Sequence, residues 1–184
     1  NDSFLTGVSW ERLQNPQCIY ETAMEALTEL LTLHPDVAAI GVTGQMHGSL
    51  YVDALGNGVS PLYTWQDGRG DQLMASGETY AAQLGRITGY HVATGYGLVT
   101  HYYNLRHGLV PEDAVVFSTI HDYIAMLLAG RTTPVTEASD AASFGLFDVE
   151  KGCFDLAALE KAGIPADLLP AVAEEPCIGR YQGK

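Results

Sequence analysis

Val37-Ala-Ala-Ile-Gly-Val-Thr-Gly-Gln-Met-His-Gly48 changes character in its middle. Its first seven residues are apolar and rich in β-branched side chains, the composition of a strand buried on both faces. Its last five set Gln45, Met46 and His47 between two glycines, the composition of a tight loop that a ligand can approach closely. Such a loop at the carboxyl end of a strand is where open α/β sheets bind their ligands. A helix comes first. Asn15-Pro16 supplies a cap and a first-turn proline. Ile19, Ala23, Ala26, Leu27, Leu30 and Leu31 then recur on one face, and His34-Pro35 closes the element.

Downstream, Ser49–Asp53 and Val59–Tyr63 flank Ala54-Leu-Gly-Asn-Gly58, whose Gly-Asn-Gly predicts a hairpin turn. A helix is predicted over about 71–84, ending at Gly85, and a Gly- and Thr-rich loop reaches Gly97. Further helices are predicted over 98–107, 121–128, 155–162 and 165–172, with a short strand over 114–117 and a stop at Gly130. Strands alternating with helices, without linker, repeat or low-complexity tract, predict one α/β domain over residues 1–184.

Composition narrows the function. The chain has 184 residues, 47% of them hydrophobic, enough for one buried core. Its net charge is -13, from 22 acidic against 9 scattered basic residues, which argues against a nucleic-acid or anionic-membrane partner. Cys18, Cys153 and Cys177 lie far apart with no CxxC pair, so a reduced, cytoplasmic protein is expected. The apolar run Ala23–Leu33 carries Glu25, Thr28 and Glu29 and is too short and polar to span a bilayer, and no signal peptide is seen.

Four constellations could carry chemistry. In Gln45-Met46-His47, an amide and an imidazole can each donate and accept hydrogen bonds, as a polyhydroxylated substrate requires, and Met supplies an adaptable apolar wall. The same residues could form an ordinary polar turn. Thr64-Trp-Gln-Asp-Gly-Arg69 joins an aromatic plane, suited to the C–H face of a sugar, to a carboxylate and a guanidinium. By residue type alone, a packing Trp beside a structural Asp67–Arg69 pair reads at least as well. Thr94-Gly-Tyr-Gly97 is a poor dinucleotide motif, lacking a third glycine and a preceding strand. His121-Asp-Tyr123 is no catalytic pair, because neighbours on a helix do not face each other and no GxSxG is present. Asp122 reads as a helix-start carboxylate, and Ser139-Asp-Ala-Ala-Ser143 as a small-residue packing segment. His34, His91, His101 and His107 show no metal-ligand spacing, so no metal residues are expected.

Order and spacing of five blocks resemble the FGGY carbohydrate kinases from about Val37 to Gly179. The blocks are Ile40–Gly48, Thr64–Arg69, Thr119–Ile124, Thr136–Ser143 with Gly145-Leu-Phe147, and Gly163–Pro170. The wording of 64–69, Ala93–Gly97 and 119–123 is nearer to the sedoheptulokinases than to the xylulokinases. Met46-His47 stands where glycerol kinases have Arg-Glu. The resemblance implies an actin-like, ribonuclease-H-like α/β fold of two lobes, with this chain most of the first, sugar-holding lobe. By position, Gln45, Met46, His47, Trp65, Asp67, Arg69 and Tyr96 are similar to the residues lining the family's sugar pocket.

The implied reaction is ATP- and Mg²⁺-dependent phosphorylation of a terminal hydroxyl of a ketose, sedoheptulose first and xylulose second. The family's Asp-x-Gly-Thr phosphate loop and its catalytic Asp have no counterpart in this sequence, the latter being expected beyond Lys184. No catalytic residue and no bound ATP or Mg²⁺ is therefore expected of these residues alone. A catalytically inactive sugar-binding or regulatory module is the alternative. An open sheet edge beside 37–43 is expected to favour self-association into a homo-oligomer.

Overall fold

Strands β3 (Leu50–Asp53) and β5 (Ala114–Ser118) pair antiparallel, Leu50 opposite Ser118, Tyr51 opposite Phe117 and Val52 opposite Val116, with an irregularity between Val52 and Asp53. Alternation along this ladder divides the interior in two. Tyr51 and Phe117 face a larger core with Leu84, Leu98, Tyr102, Phe144, Leu146 and Leu159; Leu50, Val52 and Val116 face a smaller one with Leu62, Ile120, Tyr123 and Met126. The structure, a computed structural model, describes residues 3–5, 7–175 and 177–182.

The remaining elements wrap this ladder. Strands β1 (Phe4–Leu5), β2 (Leu13–Gln14) and β4 (Leu62–Tyr63) form a small antiparallel sheet in that order. The helices are α1 (Pro16–Leu33), α2 (Tyr80–Thr88), α3 (Gly97–His107), α4 (Ile120–Leu128), α5 (Ala138–Phe144) and α6 (Leu156–Ala162), with a 3-10 turn at Gly68–Asp71. Strands β6 (Val135–Thr136) and β9 (Ala171–Val172) pair parallel, and β7 (Phe147–Asp148) and β8 (Cys153–Phe154) form a hairpin. Side-chain caps start every helix but α3. Asn15 Oδ1 accepts from the amides of Gln17 and Cys18, Thr79 Oγ1 from Ala82, Thr119 Oγ1 from Asp122 and Asp155 Oδ1 from Ala158.

The predicted hairpin forms around Gly56, with Ser49 bridging Tyr63 and Val52 bridging Gly58. Pro61 has no amide to give to the ladder, and the Tyr51 amide donates to the Ser60 hydroxyl at 2.9 Å. Helices predicted over 98–107, 121–128 and 155–162, and the strand over 114–117, are present within a residue or two.

Several expectations need correcting. Residues 37–43 form no strand: Ala38, Ala39, Gly41 and Thr43 are exposed, and Val42 packs only at the margin of the smaller core. A β-branched run becomes a strand when a neighbour takes up its backbone groups, and propensity alone does not suffice. The apolar face of α1 is likewise uncovered over its second half, with Leu30 and Leu33 exposed and only Pro16 buried.

The helix predicted over 71–84 instead starts at Tyr80, because Thr79 is its cap, and runs through Gly85 to Gly89 in the left-handed region. Inside that helix Gly85 lies against the Tyr90 carbonyl. No helix forms over 165–172, where Pro165 and Pro170 restrict the chain and a turn leads into β9. Among the described residues no helix is long and apolar enough to cross a membrane.

Candidate substrate site

The Gln45–His47 loop is tied down at three points. Gln45 Nε2 donates to Gln14 Oε1 at 2.9 Å, and Gln14 Nε2 donates to Ser3 Oγ at 2.8 Å. His47 sits at φ 70°, in the left-handed region that a non-glycine residue rarely occupies. It is held there by α5: its Nδ1 lies 2.7 Å from the Ser143 carbonyl oxygen, and its amide donates to Ser143 Oγ at 3.3 Å. Tyr96 stacks on its ring, centroids 4.3 Å apart and planes 9° from parallel. Met46 is 46% exposed beside this rigid pair.

Two glycines bring Trp65 to the same place. A Cβ on Gly48 would sit 2.8 Å from the Tyr63 carbonyl and 3.4 Å from Trp65 N, so the loop lies directly on the end of β4. Gly95, at φ 85°, packs its Cα face on the Trp65 carbonyl, where any Cβ would collide. The indole of Trp65 remains 52% exposed. Gln45, Met46, His47, Trp65 and Tyr96 therefore come from three segments that touch one another through Gly48, Gly95 and the His47–Tyr96 stack.

Asp67 and Arg69 have a different place. Both are buried, 0% and 1% exposed, and their charges meet each other: Arg69 Nε donates to Asp67 Oδ1 at 2.5 Å. Asp67 also accepts from the amides of Arg12 and Arg69, at 3.0 and 3.2 Å, which starts the 3-10 turn. Arg69 Nη1 donates to Asn104 Oδ1 at 2.6 Å, Asn104 Nδ2 donates to Tyr51 Oη at 3.2 Å, and Tyr51 Oη lies 2.8 Å from His101 Nδ1. The guanidinium also lies 4.1 Å from the centre of the Tyr63 ring. This network is buried and leaves neither charge at the surface.

Burial lowers the His101 imidazole from 6.5 to about 4 and holds the Tyr51 hydroxyl well above the usual tyrosine range. Between pH 6.5 and 4 the unfolded chain therefore takes up a proton at His101 that the folded chain refuses. Stability is expected to fall through that window on acidification, by on the order of 3 kcal/mol from this residue, and to be insensitive to it at higher pH. Urea unfolding at about pH 7 and about pH 4 checks this. The difference should shrink in His101→Gln, and an equal difference in both proteins would rule it out.

The sequence signature described as "FGGY family of carbohydrate kinases, N-terminal domain" matches residues 7–179. The chain belongs to the FGGY family of carbohydrate kinases. Sedoheptulokinase of Mus musculus is 36% identical over 176 residues, covering 82% of this chain and 35% of that protein. Xylulose kinase of Escherichia coli K12 is 31% identical over 159 residues, covering 84% and 31%. A Plasmodium falciparum glycerol kinase crystallised with ADP superposes with a TM-score of 0.74 at 16% identity, over 92% of this chain and 36% of that one. The chain thus spans about a third of the length of these relatives, and its fold is the actin-like one of the FGGY sugar kinases.

In this FGGY domain a second polar cluster adjoins the loop, with His121 packed against Gly44 and Asp140 on the same helix as Ser143. His121 Nε2 is 2.8 Å from Asp140 Oδ2, not paired with Asp122 beside it in sequence. Burial holds the Asp122 carboxyl above its usual range, and Asp122 Oδ2 and His121 Nδ1 are buried with no hydrogen-bond partner among the described residues. His121, Asp122 and Asp140 offer three ligand atoms within 4.8 Å of one another and line a cleft of about 870 Å³ between residues 38–42, α4 and residues 173–175 and 177–181. Asp140 and Ser143 were legible only as small-residue packing. Their contacts to His121 and His47 span 19 and 96 positions, and the helical spacing that turns both inward became visible only once α5 was defined.

Proposed function

We propose that this chain is the sugar-holding lobe of an ATP-dependent kinase that transfers the γ-phosphate to a terminal hydroxyl of a ketose, with sedoheptulose the first choice and xylulose the second. The observation that supports this reading is a strained, doubly anchored His47 stacked on Tyr96, with the exposed Met46 next to it in the same loop and the exposed Trp65 in a segment that packs on that loop. A sugar presents hydroxyls to Gln45 and His47 and its C–H face to Trp65 or Tyr96, the mixture of groups such sites use. The similarity to sedoheptulokinase and to xylulose kinase supports the ketose, and the ADP of the glycerol kinase structure supports the nucleotide. Asp67 and Arg69 belong to this reading as the buried brace that orients the Trp65 segment, not as sugar ligands.

Holding and orienting the acceptor hydroxyl is what these residues can contribute, since phosphoryl transfer is chiefly positioning and charge neutralisation. Mg²⁺ prefers a shell of six oxygens. The His121–Asp122–Asp140 set is one imidazole and two carboxylates, with one carboxylate already engaged by the imidazole, and does not fit it.

The test is coupled measurement of ADP release by the full-length protein with sedoheptulose, xylulose and glycerol. Sedoheptulose is expected to give the highest kcat/KM. Glycerol as the best substrate would overturn the reading of Met46-His47, and ketose binding without ADP release would favour the non-catalytic sugar-binding module.

A further inference from the structure

His47 is anchored at Nδ1 by a group that can only accept. Ser143 lies in the last turn of α5, where a backbone carbonyl has no amide of its own helix to bind. The His47 ring fills that role at 2.7 Å. A carbonyl oxygen cannot donate, so the proton of this hydrogen bond is on Nδ1, and in the neutral ring Nε2 then carries a lone pair. No described residue hydrogen-bonds Nε2. The anchor is rigid: Ser143 is 4% exposed, its hydroxyl also takes the His47 amide, and Tyr96 covers one ring face. The Tyr96 stack and the bond to the Ser143 carbonyl together leave the ring little freedom to turn over and exchange its nitrogens.

We propose that Ser143 is the positioning residue that sets the polarity of sugar recognition. Its carbonyl fixes the Nδ1–H tautomer of His47, so that Nε2 is an acceptor and the sugar hydroxyl held there binds as a donor. The inference rests on the sugar site proposed above and adds a specificity rule to it. At that one position the site takes a hydroxyl and rejects a substituent of similar size that cannot donate. Replacing the hydroxyl by fluorine or by a methyl ether leaves the Nε2 lone pair facing another acceptor or a carbon, a mismatch that costs more than the lost bond alone.

Two measurements on the full-length protein test this. Long-range proton–nitrogen NMR of the sugar-free protein at neutral pH, with the His47 signals assigned by their loss in His47→Gln, reads the tautomer directly. A protonated Nδ1 with bare Nε2 is expected, and it should persist in Ser143→Ala, which keeps the carbonyl and loses only the hydroxyl. A protonated Nε2 in the parent protein, or a tautomer that changes in Ser143→Ala, overturns the proposal whether or not the protein binds sugars.

The second measurement titrates a series of monofluoro and mono-O-methyl ketoses. One position is expected to lose affinity by about tenfold or more in the parent protein, and to lose far less in His47→Ala. Ketose binding with no such coupled position overturns the specificity rule and leaves the sugar site standing. Failure of every ketose to bind, with the expected tautomer present, overturns the sugar site and with it the rule.

Discussion

Arg69→Met is expected to lower the unfolding free energy by about 3–5 kcal/mol, the cost of leaving a buried carboxylate without its counter-charge. Asp67 would keep the amides of Arg12 and Arg69 but lose the guanidinium, and Asn104 Oδ1 would lose its donor. The three rings around the guanidinium, those of Trp10, Tyr63 and Tyr103, would lose a cation while retaining an apolar side chain of similar length. Chemical denaturation of the parent protein and the variant measures the difference. The double variant Asp67→Asn/Arg69→Met should recover part of it, because a neutral amide removes the unpaired buried charge and its oxygen can still accept a backbone amide. A loss under about 1 kcal/mol would mean that the pair is far better hydrated than its burial indicates. A sugar-binding defect in the absence of any stability loss would make Asp67 and Arg69 sugar ligands instead of a brace.

His47→Ala in the full-length protein is expected to reduce kcat/KM for the ketose by about 2–3 kcal/mol, the equivalent of two hydrogen bonds, with the KM for ATP nearly unchanged. Alanine at φ 70° adds backbone strain, so His47→Asn is the sharper comparison, asparagine being tolerant of that region. Asn can still donate to the Ser143 carbonyl but cannot present an acceptor where Nε2 stood. Loss of ketose kcat/KM in both variants, with folding intact, locates the effect in the side chain. Equal damage to the ketose and ATP parameters would show instead that the loop supports the whole enzyme, and His47 would no longer be a sugar ligand.

Local signals were read well wherever one short segment contains its own reason. Asn15-Pro16, Thr119 and Asp155 cap the helices that begin just after them because a cap acts over three residues. The Gly-Asn-Gly turn, the glycine stop at 130 and the ordered blocks that resemble the FGGY kinases are local in the same sense. The αL backbone of His47 was hidden, although the flanking glycines marked a tight loop.

The sequence by itself determined an α/β domain of the FGGY kinases and which short segments carry polar and aromatic groups suited to a sugar. Only the tertiary structure decided which of those groups face outward. Trp65, Asp67 and Arg69 lie within five positions, yet the first stays half exposed while the other two are buried against Asn104 and the ring of Tyr63. A charge is satisfied by whichever opposite charge or ring lies nearest in space, and no pattern over six residues encodes a partner 35 positions away. The apolar run at 37–43 makes the same point for the backbone. Its composition states a preference for a strand, but a strand exists only where a neighbour supplies the other half of each hydrogen bond.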